Sequence, residues 1–426
     1  MVRRHAGRRR ADRKPGRIEV PEHGHGHGHG HGESAVDTSV VDADAIVARR
    51  VRLGVIGLLI PMIAAALVAM VILWPTGDVK VGAIENDQAR GVVLSIKPCA
   101  ETPADCDEAT VRITEAKIKA DIGQVVPAEI AKGQSAPRVE VGNKVMLSVD
   151  PKAPVTDRYS FVDNDRNAPL LLLAAIFAVA VVALSRWKGV AALLALALSG
   201  VLLLKFVLPA ILRGSDPVLV AVVGGVVIMV AALYMTHGVN AHTSIALIGT
   251  IGSLGLTALV GSIFVRGSSV TGLSADAGTI FQFANQVDLV GLVAAGIVIG
   301  TLGVLDDVTV TQVTAVWELS AANPNASRWS LLSAGLRIGR AHVASVVNTL
   351  VLAYAGASLP LMMTFALGSV PASYAVSTEQ VAVEVIRGLV GSLGIIAAVP
   401  LTTALAAMAV ARRSPQLRSD EIEHVD

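Results

Sequence analysis

The chain has 426 residues, of which 53% are hydrophobic and 16% charged, and its 35 Lys and Arg against 34 Asp and Glu leave a net charge of +1. A mean hydropathy of +0.62 exceeds what water-soluble domains show and identifies a membrane protein. The balanced charge leaves no basic surplus for nucleic acid, and no P-loop or Rossmann glycine pattern stands in the right setting, so ATP-driven work by this chain alone is not expected.

Residues 1–50 are rich in Arg, Gly, Pro and acidic groups and poor in apolar ones, the composition of a disordered tail. Within it "HGHGHGHGHG" sets His23, His25, His27, His29 and His31 at every second position. Glycine spacers allow several imidazoles to reach one divalent transition metal, and an exposed repeat of this kind also binds such ions weakly without any selected role. No other cofactor is expected. Residues 51–75 hold the first apolar span, near 54–74. Its core is longer than that of a signal peptide and "LWPTG" is a poor cleavage site, so an uncleaved anchor is expected.

Residues 76–168 change character. Alternating stretches such as "ARGVVLSI" and "ATVRITEAKIKA", with "VGNKV" reading as a tight turn between strands, predict a small all-β domain of five or six strands. A barrel-like form is expected, the OB type being one option. Its Cys99 and Cys106 are the only cysteines of the chain. In an oxidising compartment they are expected to close a short loop as a disulfide, and two cysteines without a nearby histidine make a poor metal site.

Residues 169–411 contain seven further apolar stretches near 169–187, 189–209, 217–235, 243–265, 289–306, 343–365 and 386–411. Each approaches the ~20 residues a helix needs to cross a bilayer, which gives an α-helical polytopic fold of about eight transmembrane helices. "RRHAGRRRADRK" and "ARRVR" before the first span put the N-terminus inside, and alternation then leaves Arg186, Lys188, Arg328, Arg337, Arg340, Arg412 and Arg413 on the same side. Both termini, including the tail 412–426, are thus expected in the cytoplasm of a bacterial cell with the chain in the plasma membrane. The β domain is expected on the other side, where an envelope protein is a candidate partner beside the lipid bilayer itself.

The span near 289–306 ends in "GVLDDVTVTQVTAVWEL", with Asp306 and Asp307 adjacent at its cytoplasmic end. Two carboxylates there can simply mark the membrane edge. If the helix continues, however, Asp307, Thr311, Thr314 and Glu318 form a polar stripe opposite Val308, Val313 and Val316. Arg337 and Arg340 of "GLRIGRAHV" are expected at similar depth, and Asn348 and Thr349 beyond them should face the bundle. Asp306, Asp307, Thr311, Arg340 and Asn348 are therefore candidates to line a cytoplasm-facing polar vestibule, with Arg340 pairing with Asp307. Gly296, Gly300 and Gly303 share a face suited to close helix packing, Pro360 and Pro400 read as tolerated kinks, and Glu384 and Arg387 are spaced to neutralise each other. His237 and His242 flank "HGVNAH" at a spacing open to a metal or to plain polar capping.

"LVGLVAAGIVIGTLGVLDDVTVTQVTAVWEL", "THGVNAHTSIALIGTIGSLGLTALVG", "GLRIGRAHVASVVNTLVLAYAGASLPL" and "VEVIRGLVGSLGIIAAVPLT" resemble the bacterial YibE/F-like multi-pass membrane proteins over roughly residues 155–411. The Asp-Asp segment and its "WEL" ending are the most specific part. The resemblance implies a membrane architecture with a soluble domain after the first span, and it implies no chemistry. Two functions fit: a permease or secondary transporter of an ion or small solute, or a membrane-anchored scaffold or assembly factor whose β domain binds an envelope partner. An intramembrane enzyme is not expected. Adjacent aspartates point about 100° apart on one helix instead of facing each other from two, and no HExxH or GxSxG motif is present.

Overall fold

The structure, a computed structural model, describes residues 38–76, 87–99, 105–133, 137–150, 153–154, 158–273, 286–368 and 370–410. The five histidines of the His-Gly repeat, and Arg412 and Arg413, lie outside the described residues. The first element among the described residues is helix α1 (Thr38–Ile72), of which Leu53–Ile72 is long and apolar enough to cross a membrane.

Five antiparallel strands follow: β1 (Asp87–Pro98), β2 (Cys106–Ala116), β3 (Val125–Ala131), β4 (Lys144–Val149) and β5 (Tyr159–Asn164), in the sheet order β3-β2-β1-β4-β5. Alternation drives the sheet to curl around one face. Ala109, Val111 and Ile113 of β2 are buried while Glu108, Arg112 and Thr114 are exposed, and Val93, Val145 and Leu147 close the same core. The two edge strands β3 and β5 come together across the open side, giving a half-barrel. Bulges in the β1–β2 pairing sharpen the bend, and Gly91 sits at one of them, where a Cβ would meet Val111 Cγ1 at 2.3 Å. "VGNKV" does turn the chain, with Gly142 at φ +92° and the Asn143 side chain accepting from the Glu140 N–H, but it leads into β4 from an extended stretch and not from a sixth strand.

Cys99 and Cys106 are joined, with Cα atoms 5.6 Å apart, and the bridge closes the β1–β2 loop. On the other side of the sheet the buried Asp121 accepts a hydrogen bond from the Tyr159 hydroxyl and lies 3.5 Å from the Arg158 guanidinium, fastening the β2–β3 connection to β5. Burial, and then the Asp121 carboxylate beside it, push the Tyr159 phenol up to about 12.

The helical part opens with α2 (Asn167–Leu202), which continues through a π turn at Leu203–Val207 into α3 (Leu208–Leu212). A straight helix of this combined length would run roughly 70 Å, about twice the apolar core of a bilayer. The path is broken at Arg186, where φ is +53°, and a Cβ on Gly189 would lie 2.6 Å from the Val181 carbonyl oxygen. Residues eight apart in a continuous helix are about 12 Å apart, so the chain turns back sharply at the "SRWKG" break. Helices α4 (Pro217–His237), α5 (Ala241–Gly267), α6 (Leu289–Ala322) and α7 (Arg328–Ala357) follow. Asp216, Asn240, Asp288 and Ser327 cap them in turn, each side chain accepting from a backbone N–H of the first turn.

Two short helices, α8 (Leu359–Leu367) and α9 (Ala372–Ser377), precede α10 (Glu379–Ala409). Expectation and structure part in two places here. The span expected near 343–365 starts at Arg328 and ends at Ala357, and Pro360 does not kink it but begins α8, where a missing N–H costs nothing. Pro400 does lie inside its helix. Among the described residues seven helices are long and apolar enough to cross a membrane when Asn167–Leu212 is counted once.

The bundle is organised around α5, α6 and α10, with α4 and α7 packed on its flanks and α1 against α4 and α5. Glycines on one helix receive threonines from the next. Thr402 of α10 sits over Gly249 of α5, and Thr257 of α5 sits over Gly394 of α10, where added Cβ atoms would approach the hydroxyl oxygens to 2.3 and 2.1 Å. Helix backbones thus come close while each buried hydroxyl of Thr257, Ser253 and Thr403 donates to a carbonyl of its own helix.

Candidate functional site

Helix α6 continues through the Asp-Asp segment to Ala322, so the polar stripe forms, but it points away from the bundle. Asp307, Thr314 and Glu318 are exposed and Thr311 is half-buried. The side that looked apolar carries the polar residues the bundle encloses: Thr309 and Gln312 are fully buried beside Val308, Val313 and Val316. The sequence hides them because they share one helix face with Val308, Val313 and Val316.

Gln312 and Thr309 anchor a polar node where four helices meet. Thr309 Oγ1 lies 2.7 Å from Thr250 Oγ1 of α5, and Gln312 Oε1 lies 3.0 Å from Thr403 Oγ1 of α10, whose one proton it shares with the nearer Val399 carbonyl at 2.6 Å. Gly339 of α7 makes room for the amide, since a Cβ there would be 2.9 Å from Gln312 Oε1. Gln312 Nε2 of the node is buried with no hydrogen-bond partner in the protein, and so is Thr402 Oγ1, which stands over Gly249 of α5 one residue before Thr403. A buried amide N–H left unmade costs about 1–3 kcal/mol. The node carries no charge. Its hydroxyl and amide oxygens can accept from a solute or face a cation, while the Gln312 amide can donate to an anion or carbonyl.

The five proposed vestibule residues do not converge on this node. Asp306 is half-buried on the side of α6 turned toward α4: it follows Leu302 by one helical turn, and Leu302 packs over Gly225 of α4. Its Oδ1 is buried without a partner. Asp307, Arg340 and Asn348 are exposed on the outer surface of the bundle, and no ion pair joins Arg340 to Asp307 among the described residues. The cause is angular. Six residues separate Asp306 from Gln312, which puts them about 120° apart around the helix axis, so only one of the two can face α7.

A second polar group lies at the opposite end of the bundle. Arg387 binds Glu384 at 2.8 Å, as their spacing predicts, and its guanidinium carbon also stands 5.9 Å from the centre of the Tyr354 ring. Gly296 and Gly300 serve these side chains instead of a neighbouring backbone. Arg387 Nη2 reaches to 3.9 Å of a Cβ built on Gly296 and the Tyr354 hydroxyl to 2.8 Å of one on Gly300, while nothing approaches Gly303. Glu384 and Tyr354 border a mainly apolar cavity of about 300 Å³ between α7, α8 and α10. His237 and His242 are occupied separately, His237 Nδ1 at 2.7 Å from Thr236 Oγ1 and the His242 ring 4.3 Å from that of Trp317. No group of three or more His, Cys, Asp or Glu is placed to hold a metal among the described residues.

A polytopic bundle of apolar helices with a curled five-stranded sheet after the first of them defines an integral membrane protein. The family described as YibE/F-like protein matches residues 173–412, from the first turns of α2 to just past the end of α10, and the chain belongs to that family. No curated protein and no solved structure matches the chain.

Proposed function

We infer that the protein is a permease or secondary transporter for an ion or small solute, with the polar node around Gln312 as the point its solute meets inside the bundle. The observation that carries this reading is the pair of unpartnered buried groups, Gln312 Nε2 and Thr402 Oγ1, where α5, α6, α7 and α10 come together. A polar group enclosed in a membrane bundle is costly when it is left without a partner, which makes it a candidate contact for a solute. In this reading Asn167–Leu212 makes two crossings, eight in all, and the break at Arg186 supports that division. The arginine distribution then sets both termini in the cytoplasm of a bacterial plasma membrane and the half-barrel outside it, where its disulfide is at home. No catalytic chemistry is assigned to the chain, and a metal role of the His-Gly repeat is kept separate from the node.

The scaffold reading has one observation in its favour. The half-barrel encloses a core of its own, from Val93 to Tyr159, and its strand order with β3 beside β5 is that of an OB-type barrel, a fold that often serves binding alone. The two readings separate in one experiment. Proteoliposomes holding the full chain are tested for currents and fluxes under gradients of H+, Na+, K+, Zn2+ and Mn2+, and a deletion strain is screened for growth under the same ions. Transport by the wild type that is lost in Gln312→Leu and Thr402→Val supports the permease. Wild-type liposomes no leakier than empty ones, together with full rescue of the strain by both variants, would leave the bundle as an anchor.

A further inference from the structure

Helix α7 lays only one side on the bundle. Gly335 and Gly339 settle against α6 and α10, and Leu350 is buried beside Gly391, yet just 11% of the apolar part of the helix is buried. The middle of its outer side runs Arg337, Ala341, Ala344, Asn348 and Val351, all exposed. The steps between them are four, three, four and three residues, the repeat of a seam between two helices.

Asn348 stands in the centre of that seam. Tyr354 of α7 meets Gly300 of α6 and Gly339 meets Gln312, so the helices run antiparallel and Asn348 lies at the depth of Gly303 to Asp306. An amide held there against lipid leaves its donors and acceptor unmade, and no hydrogen bond of the Asn348 side chain is found among the described residues. The neighbouring Ala341 and Ala344 are small enough to let another helix come close.

We propose that this face is where a second copy of the chain binds, α7 packing in parallel on α7 about a two-fold axis along the membrane normal. A primary amide both donates and accepts, so Asn348 pairs with the Asn348 of the second copy across the axis, and a single Asn in such a seam also fixes its register. The charges suit the same arrangement. Arg340 is exposed beside the seam on α7, and Asp307 and Glu318, exposed on α6, bracket it in depth. Two copies in one orientation bring Arg340 of each to the level of the carboxylates of the other. Asp307, Arg340 and Asn348, which line no vestibule within one chain, thus find a common role between two.

Because the only two cysteines are joined to each other, a single introduced cysteine is the only free thiol. Full-length Ala341→Cys, Ala344→Cys, Asn348→Cys, Ile338→Cys on another face of α7 and Leu259→Cys on α5 are oxidised in native membranes with copper phenanthroline and run without reductant. The expected result is a band of twice the monomer mass at positions 341, 344 and 348, and little at 338 and 259. In detergent, Asn348→Leu should shift the measured mass of the wild-type dimer to that of a monomer while thermal unfolding stays unchanged. Equal crosslinking at all five positions, crosslinks to a species of another mass, or no crosslink at 341, 344 and 348 together with a monomeric wild-type protein would each overturn the proposal.

Discussion

Helices α6 and α7 lie side by side, yet they handle polar residues in opposite ways. Half of the apolar window of α6 is buried in the bundle, against 11% for α7, although α7 has the lowest mean hydropathy of the seven spans. In water the more polar helix would be the expected outsider. In a membrane the outside is lipid, and a polar outer face is the costly choice. Helix α6 encloses Thr309 and Gln312 and supplies most of their partners from α5 and α10, whereas α7 leaves Ser345, Asn348 and Arg340 on its surface. Low burial of an apolar helix is ordinary in a bilayer, and low burial of a polar one calls for a partner outside the fold.

Four changes sharpen that contrast, the largest inside the core. Gly394→Leu would drive a side chain into Thr257, already within van der Waals reach of the glycine, and overpacking of this kind costs about 1–3 kcal/mol or more. The expected outcome is a loss of folded protein in detergent, read as a lowered melting temperature, with partial rescue by adding Thr257→Ala. A variant as stable as the wild type would show that the glycine–threonine contacts do not hold the core.

Tyr159→Phe tests the half-barrel by the same logic in a water-facing setting. Removing the hydroxyl leaves Asp121 buried beside Arg158 alone and should cost about 1–3 kcal/mol, seen as faster amide hydrogen exchange in β4 and β5 of the full chain. The phenol adds a pH signature. Its folded value, about 12, lies above the ~10 of an unfolded tyrosine, so its contribution is complete below about pH 10 and is lost as the pH climbs toward 12. The exchange difference between wild type and Tyr159→Phe should therefore shrink over that interval.

Gln312→Leu removes an amide whose Nε2 has no partner, and Thr403 keeps its bond to the Val399 carbonyl, so stability should change by less than about 1 kcal/mol in thermal unfolding while any transport is lost. A large destabilisation would instead make Gln312 a packing residue. The smallest effect is expected at Ser333→Ala on the exposed side of α7, where melting temperature and dimer mass should both stay as in the wild type.

The amino-acid order by itself determined much of the architecture. Runs of Leu, Val and Ala mark the spans because every membrane helix must meet its own backbone hydrogen bonds and offer apolar side chains to lipid. Alternation in "ATVRIT" marks a strand, the spacing of Cys99 and Cys106 suits a bridged turn, and three residues between Glu384 and Arg387 make an ion pair on a helix. Each of these is a local relation, settled within a few residues.

The candidate site was not legible in the same way. Thr250, Gln312, Gly339 and Thr403 come from four helices and share no motif, and Gln312 sits among valines where a period of 3.6 marks it only as one polar interruption. The conspicuous Asp307, Arg340 and Asn348 drew attention because they are polar in an apolar segment, and polarity alone cannot say whether a residue faces a cavity, lipid or another chain. That depends on the rotation of each helix about its axis, which is fixed when Gly249, Gly335, Gly339 and Gly394 admit particular side chains from their neighbours. Hydropathy sets which segments enter the membrane, and close contact between them decides which side of each segment turns inward.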